Sequence, residues 1–475
     1  MKLYNTFSNT KEDFVPTEEG KVKIYTCGPT VYDYIHLGNA RAFIVSDVIR
    51  RFFKYLKYDV TFVMNLTDID DKIIERAQKD NSDTKFISEK YAQAFFEDLD
   101  ALGVEPADVF PKATEHVPEM IELIRELIKK DKAYVSGGDV YYDVAKFERY
   151  GNLSGKKIDE LISGTRVAID KKKRNPLDFV LWKAQKPREP AWESPWGLGR
   201  PGWHLECSAM SMKYLGASFD IHVGGVDLVF PHHENEIAQS EGATEQPFVK
   251  YWLHNGFLQI EGHKMSKSLG NFSTVREALQ TIPSEALRLF FLQKHYRSPI
   301  DLTDQGFETA KRAHSRLSIF YEKLKAATPD FDSERTQLPV VEPELAQPFE
   351  KFKNEFVASM KDDFNTPGAL SQLFDFVREA NKLFSKEELT VAEGKLLKRI
   401  RGDVEDFRAI FGILQTQDSG IDSNLVSSLT GLLIEVRNDL RSKKLWDLAD
   451  KIRNELGKQG IVLEDAGNET TWRFN

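Results

Sequence analysis

Two cysteines and a crowd of histidines carry the most distinctive chemistry in this chain. Cys27 and Cys207 are its only thiols. Of ten histidines, six (His204, His222, His232, His233, His254 and His263) fall in one stretch. His232 and Glu236 stand four apart in FPHHENE, so a helix there presents both on one face. Thiolate, imidazole and carboxylate are donors that zinc accepts. A disulfide is the weaker expectation in a large chain with no secretory leader pattern. Two incidental core thiols are the plainer alternative, and it stays open on these residues alone. So do His233 in place of His232 and Glu234 in place of Glu236, although neither sits on the His232/Glu236 face. Donors from three separate segments must be brought together, as strand ends are at the mouth of a parallel sheet.

Two further segments suit phosphate. The first is His36-Leu37-Gly38-Asn39, between a strand-like and a helix-like run. A helix N-terminus offers free N–H groups and a positive dipole end to an anion. His36 and Asn39 reach one phosphate from i and i+3, and Gly38 leaves the backbone open to a flat base. The second is Lys264-Met265-Ser266-Lys267-Ser268, followed by Leu-Gly-Asn. Two lysines three apart, each followed within two residues by a serine, suit a loop that offsets charge on a leaving pyrophosphate. A solvated turn and a solvated basic loop are the ordinary alternatives.

The elements that must position these residues follow from periodicity. Residues 21–26 and 59–64 read as strands, with a helix between them through Ala42, Phe43, Val45, Val48, Ile49, Phe52 and Phe53. Strand, glycine-containing turn, helix and strand make a βαβ unit and imply a parallel sheet. Residues 115–132 read as helix. Residues 133–200, rich in Pro, Gly, Trp and cations, read as an insertion. Residues 218–223 read as a strand, and the helix after it is expected to begin near Pro231. Helical periodicity dominates from 275 onward, with a proline-rich linker at 326–349 and a break at 411–424. Residues 425–456 read as an amphipathic helix or helix pair stopped by Gly457.

A length of 475 residues implies about three domains. The net charge of −9 excludes a polycation that coats nucleic acid through bulk charge. The 41% apolar and 29% charged content suits a globular chain rather than a disordered one. With no apolar run of membrane-spanning length and no leader-like N-terminus, the expectation is a cytoplasmic protein without a membrane partner.

HLGN on the first βα turn together with KMSKS resembles the class I aminoacyl-tRNA synthetases. YTCGPTVYDYIHLGNAR, NLTDIDDKII, RNPLDFVLWK, PGWHLECSAMS, GGVDLVFPHHENEIAQS, KMSKSLGNF and the C-terminal GIVLEDAGNETTWR narrow the resemblance to the cysteinyl-tRNA synthetase family. HLGN departs from the HIGH tetrad of other class I members, with Asn common at that place in this family. The resemblance implies an α/β fold: a Rossmann-type parallel-sheet catalytic domain with an inserted acceptor-binding subdomain, followed by an α-helical C-terminal half. The expected divisions are catalytic halves at 1–125 and 201–255, an insertion at 126–200, and a stem-contact region with the KMSKS loop at 256–325. A helical bundle at 345–412 and a small anticodon-binding domain at 424–475 complete them.

The implied activity is ATP-dependent ligation of L-cysteine to tRNA(Cys) through a cysteinyl-adenylate, in a monomer. The implied zinc ligands are Cys27, Cys207, His232 and Glu236. The ATP residues are His36, Gly38, Asn39, Lys264, Ser266 and Lys267; His36, Asn39 and the two lysines are the catalytic set. Cys27, Gly28, Thr67, Trp203, His222 and Asp227 are expected near the substrate, with Asp227 on its ammonium group. Mg²⁺ is expected to arrive with ATP, whereas Asp68, Asp70 and Asp71 read as an acidic helix start. Basic stretches at 171–188, 311–316 and 437–458, the last with Trp446, are the expected tRNA track. Zinc prefers a thiolate to serine's hydroxyl, so rejection at binding implies no editing domain. Two rivals remain at this stage: a zinc ligase joining cysteine to an amino sugar, and a non-catalytic RNA-binding paralogue.

Overall fold

A computed structural model describes residues 1–155, 172–187, 189–260, 263–264, 273–332, 339–415, 423–458, 460–466 and 469–474. They form two compact units, Met1–Ile413 and Leu414–Asn475. In the first, β1 (Lys2–Asn5) and β2 (Thr10–Asp13) form a hairpin. They are followed by β3 (Lys21–Thr26), α1 (Leu37–Tyr55), β4 (Asp59–Met64), α2 (Asp71–Lys79), α3 (Thr84–Ala101) and α4 (Val117–Lys129). The expected strands at 21–26 and 59–64 are present with those bounds.

The inserted region is a four-stranded antiparallel sheet: β5 (Ala133–Ser136), β6 (Asp139–Tyr142), β7 (Phe179–Ala184) and β8 (Gly199–Pro201), in that order. The chain then returns through α5 (Trp203–Leu215), β9 (Phe219–Gly225), α6 (Glu234–Thr244) and β10 (Val249–Asn255).

The central sheet has the order β10-β9-β3-β4 and is parallel throughout. From β3 the chain crosses outward to β4, and from β9 it crosses to β10 on the other side. The two crossovers diverge between β3 and β9, which is the switch point where open α/β sheets leave a crevice at their carboxyl ends. Both strands are buried over most of their length, as expected of a sheet covered on both faces. Helix α1 lies beside the sheet and buries Phe43, Ile44, Val48 and Phe52. Each such burial is worth roughly 1.5–3 kcal/mol, against about 1 kcal/mol for a helix cap. Packing, not the residues at its tip, fixes where α1 lies.

Beyond the sheet come β11 (Leu258–Ile260), β12 (His263–Lys264), α7 (Val275–Leu279), α8 (Ser284–Leu292) and β13 (Ile300–Asp301). The helical part follows as α9 (Asp304–Ala327), α10 (Pro343–Lys361), α11 (Thr366–Phe384) and α12 (Val391–Phe411). The expected linker at 326–349 is too long at both ends. Helix α9 reaches Ala327, and α10 begins at Pro343. Pro343 occupies the first helical turn, where proline has no N–H to lose, and Pro348 is accommodated inside the helix.

The second unit contains α13 (Ser423–Ser442), α14 (Trp446–Lys458), β14 (Ile461–Ala466) and β15 (Glu469–Phe474). The expected stop at Gly457 is corrected: α14 runs through it to Lys458. Leu456, Ile461 and Leu463 make this unit's small core, whereas Leu429, Leu432, Val436 and Leu448 of the expected apolar stripe are exposed.

Candidate metal centre and nucleotide cleft

Cys27 directly follows β3, and Cys207 projects from α5, where it is buried. A π-helical turn at Val229–His233, with Phe230 non-helical inside it, leads into α6 and carries His232 and His233 inward. Glu236 is fully buried in the first turn of α6.

These segments converge. The Cys27 and Cys207 sulfurs are 3.8 Å apart, and Cys27 Sγ is 3.8 Å from Glu236 Oε1. His232 Nε2 lies 3.0 Å from Glu236 Oε1. Cys27, Cys207, His232 and Glu236 therefore form a compact donor set that could hold a metal ion, with every ligand atom within 4.8 Å of the others. Cys27, His222, His233 and Glu236 form a second set meeting the same limit.

The surroundings orient these donors. His222 Nε2 is 3.0 Å from Glu236 Oε2, fixing the carboxylate from its far side. His204 and His232 meet through their Nδ1 atoms at 2.9 Å, and the Trp203 ring lies 4.2 Å from that of His232. His233 Nε2 is 3.4 Å from Cys27 Sγ, while its Nδ1 is 2.8 Å from His254 Nε2. Gly224 makes this possible, because a Cβ there would fall 2.5 Å from the His233 ring.

Electrostatics divide the cluster sharply. Burial pushes the Cys27 thiol well up, whereas hydrogen bonding from Cys27 brings Cys207 down to about 6. Burial opposes charge on His232, but Glu236 and Cys207 outweigh it and hold the imidazolium up to about 10. Burial also opposes charge on Glu236, yet His222 and His232 bring it down to about 2. Burial pushes His204, His233 and His254 down, the last to about 3. These shifts favour charge on Cys207, His232 and Glu236 and disfavour it on His204, His233 and His254.

Cys27 also lines a cleft of ≈ 380 Å³ at the switch point. Gly28, His36, Gly38, Asn39, Trp203 and Asp227 share its walls, so most of the expected ATP and substrate residues open onto one space. Gly28 has no alternative: a Cβ would stand 1.7 Å from the Asn65 carbonyl oxygen. Its N–H donates to Asn65 Oδ1 at 2.9 Å. His36 caps α1, its Nδ1 accepting from the Asn39 N–H while Asn39 Oδ1 accepts from the His36 N–H, both at 3.2 Å.

Other expected residues are placed differently. Thr67 is buried and donates to the equally buried Glu206 at 2.8 Å. Asp70 caps α2, Asp68 accepts from Thr114, and Asp71 pairs with Lys183 and Arg200, in keeping with a helix start. Lys264 lies in β12, opposite Gln259. Ser266 and Lys267 lie outside the described residues. In the expected tRNA track, Trp446 is exposed with the Arg441 guanidinium 6.0 Å from its ring centroid, but Arg437 is buried. Asn65, His254 and Glu206 were not singled out by sequence reasoning. Asn65 lies in the family-like segment NLTDIDDKII, which was its only signal.

The same architecture is found in solved synthetases. Mycobacterium tuberculosis methionyl-tRNA synthetase in complex with methionyl-adenylate superposes with a TM-score of 0.60 at 17% identity, over 82% of this chain and 90% of that one. LeuRS from Agrobacterium radiobacter, in a ternary complex with tRNA and LeuAMS, gives 0.62 at 10% identity, over 84% and 85%. At those identities the likeness concerns the fold. Residues 13–312 match the model of the class I (C) tRNA synthetase catalytic domain, and residues 355–415 match the DALR domain. A parallel-sheet domain with a cleft at its switch point and this match define a class I aminoacyl-tRNA synthetase.

The chain is 49% identical to the cysteine-tRNA ligase of Carboxydothermus hydrogenoformans over all of both chains. It is 46% identical to that of Pelotomaculum thermopropionicum, over 100% of this chain and 99% of the relative. It belongs to the cysteine-tRNA ligase family.

Proposed function

We propose that the chain ligates L-cysteine to tRNA(Cys) with ATP, and that zinc bound by Cys27, Cys207, His232 and Glu236 selects the substrate. The carrying observation is the 3.8 Å separation of the two sulfurs. It is far beyond a disulfide, whose sulfurs stand about 2.05 Å apart. Two sulfurs each about 2.3 Å from one tetrahedral zinc stand about 3.8 Å apart. Imidazole and carboxylate donors on the same ion stand about 3.4 Å apart. Glu236 lies 3.0 Å from an imidazole nitrogen in either set, and it is the presence of both sulfurs that favours this set over the second. Bound there, zinc would take the substrate's sulfur as thiolate and leave serine's hydroxyl a poor competitor.

The chain's own residues do the rest. Cys27 joins the metal centre to the cleft, so a side chain reaching the ion leaves the amino acid's carboxylate among the α1-tip residues. Asp227, exposed on the cleft wall, would hold the ammonium group, and Trp203 would close over the side chain. His222 orients Glu236, and Thr67 supports the floor through Glu206 and Asn65. The substrate carboxylate attacks the α-phosphorus of ATP, the bond to the β-phosphate bridging oxygen breaks, and pyrophosphate leaves. His36 Nε2, the Asn39 amide and the α1 N-terminus would hold the phosphates, with the base against Gly38. Lys264, Ser266 and Lys267 are assigned to the leaving pyrophosphate on their sequence alone, and Mg²⁺ would arrive with ATP. The antiparallel insertion would meet the acceptor end, and the 424–475 unit the anticodon.

The test is charging of bulk tRNA with labelled cysteine or serine in the presence of ATP. The expected result is cysteinyl-tRNA and no seryl product. Transfer of cysteine to an amino sugar, or binding of RNA without charging, would overturn the assignment.

A further inference from the structure

One buried cation, Arg41, has no ion-paired carboxylate among the described residues. Arg41 lies one turn into α1, two residues after the HLGN tip, and is 1% exposed. Its guanidinium donates to five main-chain carbonyls. Nη1 meets Gly256 at 2.7 Å and Phe257 at 3.2 Å. Nη2 meets His295 at 3.2 Å, Tyr296 at 3.0 Å and Ser298 at 2.6 Å. Nε has no partner, and among the described residues no carboxylate acts on Arg41, whose charge is opposed by burial.

Burying a charge without a counter-ion is costly, and an apolar side chain would fill the same space more cheaply. What only arginine supplies is a rigid planar fork of donors, able to bind two segments at once. The two segments are the turn after β10 and the loop before β13. They are tied to each other by Gly256 N–H to Tyr296 O at 2.9 Å and Ile300 N–H to Phe257 O at 3.0 Å. Gly256 permits the approach, since a Cβ would lie 2.6 Å from the Arg297 carbonyl oxygen. Gly256, Phe257 and Leu258 line the cleft, and so do Gly38, Asn39, Ala42 and Phe43 of α1. One side chain therefore ties α1 to the segment that carries the 256–258 lining. None of its bonds reaches the cysteine–histidine cluster.

We propose that Arg41 is a positioning residue for the nucleotide half of the reaction: through the 256–258 wall it sets the width of the slot that takes ATP, leaving the cysteine half untouched. This rests on the reading that the α1 tip holds ATP.

ATP–pyrophosphate exchange separates the two halves. Arg41→Lys keeps the charge but loses the fork, and Gly256→Ala pushes the two segments apart without removing a donor. Each is expected to raise KM for ATP about tenfold or more, with KM for cysteine and zinc content within about twofold of the parent. Should Arg41→Lys fail to fold, Gly256→Ala carries the same test. An unchanged ATP KM in a folded variant would overturn the proposal. So would a joint rise of both KM values with zinc loss, which marks a merely structural role. Asn39→Ala run alongside tests the underlying reading: an ATP KM unmoved by it, whatever the other variants do, places the fault there.

Discussion

At the scale of single residues, two scarce thiols and the four-residue spacing of His232 and Glu236 marked candidate donors, whereas the choice of these four came from the family resemblance. Cys27, Cys207, His232 and Glu236 are together in the structure. The inward turn of His233 was not legible as a fact of geometry. In an ideal α-helix its side chain points about 100° away from that of His232. The π-helical turn with non-helical Phe230 breaks that rule and brings both rings to the cluster. Thr67 and His222 sat in the right segments, yet their polar atoms face buried glutamates, which no spacing encodes. For His222 this has a measurable consequence. Its hold on Glu236 is that of a group orienting a metal ligand, and such partners are worth about 10–100-fold in metal affinity. His222→Ala is expected to weaken zinc retention by that factor in a chelator competition while leaving zinc bound at saturation. Loss of the site outright would make His222 a ligand instead.

At the scale of elements, the strands and α1 followed from alternation and helical period because burial, which dominates their energy, writes itself into the pattern. Helix ends were less legible. Pro343 and Pro348 suggested a linker, but a first-turn proline is compatible with a helix whose buried Phe349, Phe356 and Met360 hold it in place. That helix is joined to α12 by Lys353, which lies 2.5 Å from Asp403 and 2.8 Å from Asp406. Burial opposes charge on Lys353, and the two carboxylates outweigh it, raising its pKa above the ordinary lysine value. Burial also pushes Asp403 up despite Lys353, so the carboxylate depends on its partner. A raised lysine contributes stability that is fully present below about pH 10.4 and lost as pH rises through the folded value. Lys353→Met is expected to cost about 1–3 kcal/mol near neutral pH. The gap to the parent should narrow as pH rises above about 10.4, where the unfolded chain's lysine loses its proton while the folded one still holds its own. Thermal melts of both proteins across that range check this, and a gap that stays constant or widens contradicts the pairing.

At the scale of the whole molecule, the net charge of −9 told against indiscriminate nucleic-acid binding but could not say where a selective track runs. Cations in a basic stretch differ in fate: Trp446 is exposed with Arg441 beside its ring, whereas Arg437 turns inward. The two compact units have separate cores, and every assigned catalytic and metal residue belongs to the first. Removing residues 420–475 is therefore expected to leave cysteine-dependent ATP–pyrophosphate exchange within a few-fold of the parent and to depress tRNA charging severely. Unchanged charging would refute the assignment of anticodon contacts to that unit. The zinc content of Cys207→Ser tests the central claim most directly, because Cys207 belongs to one of the two donor sets and not to the other. After dialysis against a chelator, the parent should keep one zinc per chain and the variant none. A variant that keeps its full complement of zinc would contradict the account.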